Sequence, residues 1–299
     1  MVPRNRESLQ HSKREPSSTA GLVSVVIPVR GEPPMLTRCL ECIQAQTYPQ
    51  IEVIIVGALP GVLKDNFAIP LIEAPFTNMR GPEYFDAPER RSQGAAAASG
   101  EYVYLVDSDM ELRPKVVEEC VTACNENAFD AIIVPEVSFG DTIWARAKAL
   151  ERSCYPGNDN VEAPRFVRMS TWRLLGGLDS TVGGNDDWDL HDRLQRIGAN
   201  IGRILTPIDH NEGSLSLSSV CKKRYVYGKD TYRYIIKSPR KAIRRYSPVG
   251  RGYLRLGGPL SVSPILTVTM IAMRTVEYFS GGFGMIAGVL TQKRKNRAV

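Results

Sequence analysis

Two strand-length apolar runs, Leu22 to Val29 (LVSVVIPV) and Ile51 to Val56 (IEVIIV), flank one helix-period stretch and constrain this chain more than any other feature. A run apolar at nearly every position, rather than at alternate ones, belongs in a sheet covered on both faces. Between the runs, Leu36, Cys39, Leu40 and Ile43 recur at helical spacing after a Pro-rich start, and Thr47-Tyr48-Pro49 ends the helix. Strand, helix and strand over so short a span read as a βαβ unit with a right-handed crossover. The fold therefore begins as a parallel α/β sheet.

The alternation continues. Gly57 to Glu89 is irregular, with a short strand expected at Ile69 to Ile72. Glu89 to Gly100 reads as an Ala-rich helix presenting Arg90 and Arg91 at its start. Helical spacing predicts further helices over Arg113 to Asn127, Phe139 to Ser153 and Gly183 to Gly198, and strands at Ala131 to Val134 and Ile201 to Leu205. With 299 residues, 43% apolar and 23% charged, the chain has room for one large α/β domain plus an appendage and is not disordered as a whole. Four of the six cysteines, Cys39, Cys42, Cys120 and Cys124, fall at core-face spacing inside predicted helices, which fits reduced thiols in a cytosol-facing protein. Met1 to Thr19 is polar and basic, lacks the apolar segment of an export signal, and reads as a flexible tail.

Between these elements lies the chemistry. Glu101 to Glu111 reads EYVYLVDSDME, a buried strand that runs straight into acids. On an extended backbone Asp107 and Asp109 point to one side and Ser108 to the other. Two converging carboxylates at the carboxyl end of a parallel strand suit a hard divalent cation carrying phosphate oxygens; a surface turn whose acids only solvate the strand end is the alternative. Farther on, Gly183 to Gly198 (GGNDDWDLHDRLQRIG) crowds Asp186, Asp187 and Asp189 into the first turn of a helix, where acids also serve as simple caps.

Taken together, SVVIPVRGE, EVIIV, the acidic strand end DSD and DDWDLHDRLQRIG resemble, in order and spacing, the family 2 glycosyltransferases of the GT-A fold, over about Leu22 to Gly213. The resemblance implies an α/β architecture, a Rossmann-like, mostly parallel sheet flanked by helices. It divides the chain into a tail at 1–20, a catalytic domain at 21–213 and a helical, membrane-associating region at 214–299. It implies that Asp109 ligates Mn²⁺ or Mg²⁺, that Asp107 contacts the metal or the ribose, and that His210 is a third metal contact. Asp187 matches the general base, with Asp186 in place of the usual Glu beside it; Arg91, with Ser92 and Gly94, matches a basic motif that touches the nucleotide. Trp188 offers a face for a sugar or is core. The chain departs from the pattern after the second strand, where Gly57-Ala58-Leu59-Pro60-Gly61 stands in place of the expected acids, so recognition of the UDP or GDP base falls to backbone groups and Glu32.

Much of the net charge of +6 gathers near the C-terminus. Lys222 to Arg255 is dense in Lys and Arg, holds a single acid, Asp230, and is interleaved with tyrosines. Nucleic acid and an anionic membrane surface both fit such a tract. The apolar segments Pro264 to Met273 and Phe283 to Leu290 favour the membrane, as in-plane or re-entrant helices too short to span it, with packing on the catalytic domain or on a second subunit as the other reading. The expectation is an inverting, metal-dependent transferase at the cytoplasmic face of the membrane. It would move a sugar from a nucleotide diphosphate to a lipid-linked (polyprenyl) or glycan acceptor. The competing readings are a membrane-binding scaffold with a degenerate site, and a nucleotidyltransferase, which would want a Gly-rich phosphate loop where only Gly31 stands.

Overall fold

The computed structural model describes residues 20–58, 66–79, 81, 84–253 and 263–297. The expected tail up to Thr19, the loop residues Leu59 to Gly61 and Arg255 lie outside them.

A seven-stranded sheet forms the centre, in the order β3-β2-β1-β4-β8-β6-β9. Its members are β1 (Val23–Pro28), β2 (Ile51–Val56), β3 (Leu71–Ala74), β4 (Tyr102–Leu105), β6 (Ala131–Ile133), β8 (Phe166–Arg168) and β9 (Ile201–Arg203). β1 pairs in parallel with both β2 and β4, whereas β8 runs antiparallel between β4 and β6. Every residue of β2 is buried, as a two-sided sheet requires. Even Glu52 is inside, where its carboxylate accepts from Ser24 Oγ at 2.6 Å and Ser99 N at 2.8 Å.

Helices cover both faces. On one, α1 (Leu36–Gln44) and α3 (Val116–Asn127) contribute Leu40, Ile43, Val117 and Cys120 to the core. On the other lie α2 (Ala87–Ala96), α5 (Met169–Leu175) and α6 (Asp186–Arg196), bringing Ala95, Trp172, Leu190 and Leu194. Gly94 sets how closely α2 approaches: a Cβ there would stand 2.5 Å from Val26 Cγ1 and 2.6 Å from Val56 Cγ2. The six cysteines are all free thiols, five of them buried.

A second, three-stranded sheet sits beside the first, in the order β5-β10-β7: β5 (Met110–Leu112), β7 (Glu136–Phe139) and β10 (Ile208–Asn211). It corrects the picture of Asp107 and Asp109 on one extended strand. β4 ends at Leu105, and the Asp-Ser-Asp segment is a tight turn, closed by Met110 N to Asp107 O at 3.1 Å, that leads into β5. Asp107 and Asp109 are brought together by that turn rather than by the two-residue period of a strand.

After β10 come α7 (Leu217–Lys237), α8 (Pro239–Tyr246) and α9 (Pro264–Arg297). The two apolar segments near the C-terminus are parts of one 34-residue helix, not two separate ones. α9 lies along α7 and against α4 (Ile143–Arg152). Glycines permit the contact with α7: a Cβ on Gly284 would be 2.1 Å from Tyr225 O, and one on Gly288 1.9 Å from Lys229 O. Met270 and Met273 are buried on the inner side with Ala147 and Val220, each methionine worth roughly 1.5–3 kcal/mol of apolar burial. The outer side leaves Ile265, Val268, Phe279, Phe283 and Leu290 exposed. Among the described residues no helix is long and apolar enough to cross a membrane.

Candidate active site

The functional side chains converge at the carboxyl ends of β1 and β4, where open α/β sheets bind ligands. Arg91, on the second turn of α2, is the hub. Its Nη2 donates to Asp107 Oδ1 at 2.5 Å and its Nη1 to Asp186 Oδ2 at 3.0 Å, with Asp187 Oδ1 3.5 Å away. Asp107 is held from its other side by Arg165, Nη1 to Oδ2 at 3.3 Å. Arg165 also donates to Glu136 on β7 at 2.8 Å and lies 3.8 Å from Asp187. Burial alone would raise the Asp107 carboxyl, but Arg91 and Arg165 outweigh it and hold the group well below the usual carboxylate range.

Asp186 and Asp187 begin α6, and the preceding helical turn Ser180–Asn185 sets their position. Gly183 takes φ +61°, and a Cβ on Gly184 would stand 2.2 Å from the Tyr227 ring, so the glycine pair lets α7 close on this turn. The two acids then differ in environment. Asp186 has 3% of its side chain exposed, and burial, followed by repulsion from Asp187, pushes its carboxyl up to about 7 against the pull of Arg91. Asp187 keeps 32% of its side chain exposed and faces the cavity. A buried acid that holds its proton near neutrality beside an open carboxylate is the arrangement of a proton-accepting site.

Opposite them stand Asp109 and His210. β10 pairs antiparallel to β5 with His210 opposite Met110, and Asn211 N donates to Asp109 O at 2.9 Å. His210 Nε2 thereby comes to 3.4 Å from Asp109 Oδ2, and Nδ1 to 3.3 Å from Glu136 Oε2. Burial and Arg152 push the imidazole pKa down, yet hydrogen bonds to Asp109 and Glu136 prevail and raise it to about 9. Asp109 Oδ1 is buried with no hydrogen-bond partner. The orphaned carboxylate oxygen fits a hard divalent cation that takes its other ligands from phosphate and water, whereas His210 must first give up the proton that its raised pKa holds near neutrality before it can join as a ligand. Among the described residues no cluster of three or more His, Cys, Asp or Glu side chains forms a metal cage on its own.

The cavity between these groups has a volume of about 380 Å³. Arg91, Asp107, Asp186, Asp187, Trp188 and His210, all singled out from the sequence, line it; Asp109, which His210 contacts, and Glu32, exposed on the loop after β1, do not. Arg91 is a buried clamp on three carboxylates at the cavity wall. Trp188 donates Nε1–H to Val161 O at 3.0 Å and packs against Tyr246, with Arg245 and Arg251 near its ring, so it is both wall and core. At Gly57, where an acid was expected, φ is +131° and Arg90 takes the space, donating to Val29 O at 2.8 Å and Val56 O at 3.2 Å.

Sequence reasoning missed Arg165, Glu136 and Arg152. Glu136 opens β7 and Arg165 precedes β8, strands of four and three residues that are too short to show a period, and Arg152 ends α4, where helical spacing marks the face but not the ion-pair partner. The acids of α6 also divide in a way the capping argument did not show. Asp189 pairs with Arg193 at 2.7 Å and Lys237 at 2.6 Å, while Asp192 meets Lys241 at 2.8 Å, Arg245 at 2.9 Å and the Tyr234 hydroxyl at 3.0 Å.

Among solved structures, a mannosyltransferase from Pyrobaculum calidifontis, in complex with GDP-Man and Mn²⁺, shares the fold at TM-score 0.57 and 15% identity, over 87% of this chain and 86% of that one. S. aureus TarS 1-349 in complex with UDP does so at TM-score 0.52 and 13% identity, over 86% of this chain and 90% of its own. In sequence, glycosyltransferase GlyG of Streptococcus pneumoniae is 28% identical over 114 residues, 38% of this chain, and the O-antigen biosynthesis protein RfbC of Myxococcus xanthus 24% identical over 184 residues, 60% of this chain. The aligned parts make up 38% and 14% of those two relatives. The family model described as glycosyl transferase family 2 matches residues 24–176, from the first strand through the clamp of Arg91, Asp107 and Arg165, and the chain belongs to that family.

Proposed function

We propose that the protein is an inverting, metal-dependent glycosyltransferase that takes a sugar from a nucleotide diphosphate. The observation that carries this reading is the pair Asp186 and Asp187, held by Arg91 and sharing one cavity with Asp107 and with His210, whose Nε2 lies 3.4 Å from Asp109. Asp187 accepts the proton of an acceptor hydroxyl as that oxygen attacks the anomeric carbon, and the bond to the diphosphate breaks on the opposite face. Burial raises the Asp186 carboxyl to about 7, and Asp187, 32% exposed, is the member of the pair open to the cavity. Arg91 and Arg165 fix both acids against rotation, which supplies orientation rather than chemistry. Asp109 and His210 would hold Mn²⁺ or Mg²⁺, with Asp107 anchoring their turn. The bound cation supplies electrostatic stabilisation of the departing diphosphate. The GDP-Man and UDP held by the two structural neighbours support a nucleotide-diphosphate donor.

The acceptor we propose is lipid-linked, reached at an anionic membrane surface. The exposed apolar side of α9 supports this, as does exposed Ile243 on α8 between Arg240 and Arg244. The corresponding location is the cytoplasmic face of a membrane. The test is calorimetric titration with UDP and with GDP, with Mn²⁺ and with chelator, on the wild type and on Asp109→Ala. Metal-dependent binding of one nucleotide, lost in the variant, supports the reading; absence of binding to either nucleotide with metal present turns it toward a non-catalytic membrane scaffold.

A further inference from the structure

α7 contributes one wall of the cavity through Ser219, Val220, Lys223, Arg224 and Tyr227, residues that share a helical face. That face is fixed at both ends. Ser216 caps the helix in a reciprocal pair with Ser219, and Val220 is buried with Ala147, Met270 and Met273. One turn beyond Lys223, Tyr227 packs on Phe85 with ring centroids 4.3 Å apart and fills the space left by Gly184. Lys223 thus projects from a stretch of helix anchored three residues before it and four residues after it.

Its charge is the unusual feature. Every other lysine or arginine lining the cavity has a carboxylate within salt-bridge distance. Among the described residues Lys223 has none, and its nearest cyclic neighbour is the Tyr227 ring, 5.7 Å from Nζ. The residue is exposed, yet its ammonium feels Tyr227 foremost and then the carboxylates of Asp109 and Glu212, which keep it protonated. Among the described residues, a cavity whose ion pairs otherwise close on themselves therefore holds one uncommitted cation, on the same wall as Arg224 and Tyr227.

Taking the cavity as a nucleotide-diphosphate donor site, we propose that Lys223 binds the outer phosphate of the donor, the one bonded to the sugar. When the bond from the anomeric carbon to that phosphate's oxygen breaks, the electron pair stays on the oxygen, and the new negative charge forms within reach of the ammonium. The acceptor oxygen supplies the new bond to carbon, and its proton goes to Asp187. Lys223 keeps its own proton throughout and acts as a fixed charge.

The test compares nucleoside diphosphates with monophosphates, since only the former carry the outer phosphate. Full-length wild type, Lys223→Ala, Lys223→Arg and the neighbouring control Lys222→Ala are titrated calorimetrically with UDP, UMP, GDP and GMP in Mn²⁺, after thermal melting has established that each is folded. Lys223→Ala is expected to weaken the bound diphosphate by about 10- to 100-fold, the worth of a charge-assisted contact, and to leave the monophosphate within twofold. Lys223→Arg should recover most of the loss, and Lys222→Ala should bind as wild type does. Equal losses for diphosphate and monophosphate, or no loss, overturn the role of Lys223 while leaving the donor reading standing. A wild type that binds neither diphosphate overturns both.

Discussion

Arg91 Nη1 and Asp186 Oδ2 lie 3.0 Å apart with 5% and 3% of their side chains exposed, joining the helix before the acidic turn to the helix that carries the candidate base. The same guanidinium holds Asp107, so its removal leaves buried Asp186 without its ion-pair partner and Asp107 with Arg165 alone. Arg91→Ala should cost about 3–5 kcal/mol, the usual penalty for breaking a buried pair from one side. Arg91→Lys should restore only part of it, because one ammonium cannot span three carboxylates. Urea unfolding monitored by circular dichroism reads both values. An alanine variant with an unchanged midpoint would show that the clamp does not hold the fold.

Asp186 gives stability a pH dependence of definite sign. Its folded-state value of about 7 exceeds the ordinary 3.8, so between those limits the native chain binds a proton that the unfolded chain has released. Stability from this group is full below about pH 4 and falls as pH rises toward 7. Asp107 and Glu136, held low by their arginines despite burial, act oppositely and in a more acidic window, losing their contribution as pH drops below the ordinary carboxylate range. Asp186→Asn should therefore flatten the decline between pH 4 and 7, by an amount on the order of 2–4 kcal/mol, and leave the acid limb in place. Denaturant midpoints measured from about pH 3 to about pH 8 separate the two limbs.

Asp187→Asn keeps the shape of the site and removes its proton acceptor. Turnover should drop by about 10²- to 10⁴-fold while nucleotide affinity stays within a factor of about three. A variant with normal turnover would move the base elsewhere. Asp187→Glu offers a useful companion, since it retains the carboxylate and displaces it by one methylene.

The outer side of α9 is predicted to bind anionic vesicles. Phe279→Ser together with Phe283→Ser removes two exposed rings and nothing buried, so thermal stability should move by no more than about 0.5 kcal/mol. Sedimentation with vesicles of mixed neutral and anionic lipid should fall at least several-fold. Gly288→Val is the converse case. Its side chain would meet the Lys229 carbonyl, so it should destabilise the packing of α9 on α7 and lower the melting temperature without touching the exposed face.

What could be read in the sequence follows element length and redundancy. β1 and β2 are legible as continuous apolar runs and α1 by its helical period, while Asp186 and Asp187, acids in a first helical turn where acids are common, are legible only through the family resemblance. β5, β7, β8 and β10 have three or four residues apiece and were not seen, so the sheet that seats His210 beside Asp109 came only with the structure. Arg165 was invisible for the same reason: it precedes a three-residue strand inserted antiparallel between β4 and β6, and nothing local distinguishes it from a surface arginine. The acid expected after β2 is replaced by an interaction between distant segments, Arg90 with the carbonyls of Val29 and Val56. Apolar patterning also divided α9 in two, because Arg274 and Glu277 looked like breaks; each is buried and ion-paired, Arg274 with Glu277 and Glu151.

The ion pairs beneath α6 have a consequence for how the chain is made. Asp189 is neutralised by Lys237, and Asp192 by Lys241 and Arg245, all of which are synthesised after it. A growing polypeptide that has emerged only as far as β10 would carry the helix of the candidate base with Asp192 unmatched and Asp189 held by Arg193 alone, a state disfavoured by several kcal/mol. The helix is thus expected to settle late in biosynthesis, once α8 has left the ribosome, and the acidic pair at its head to become ordered only then.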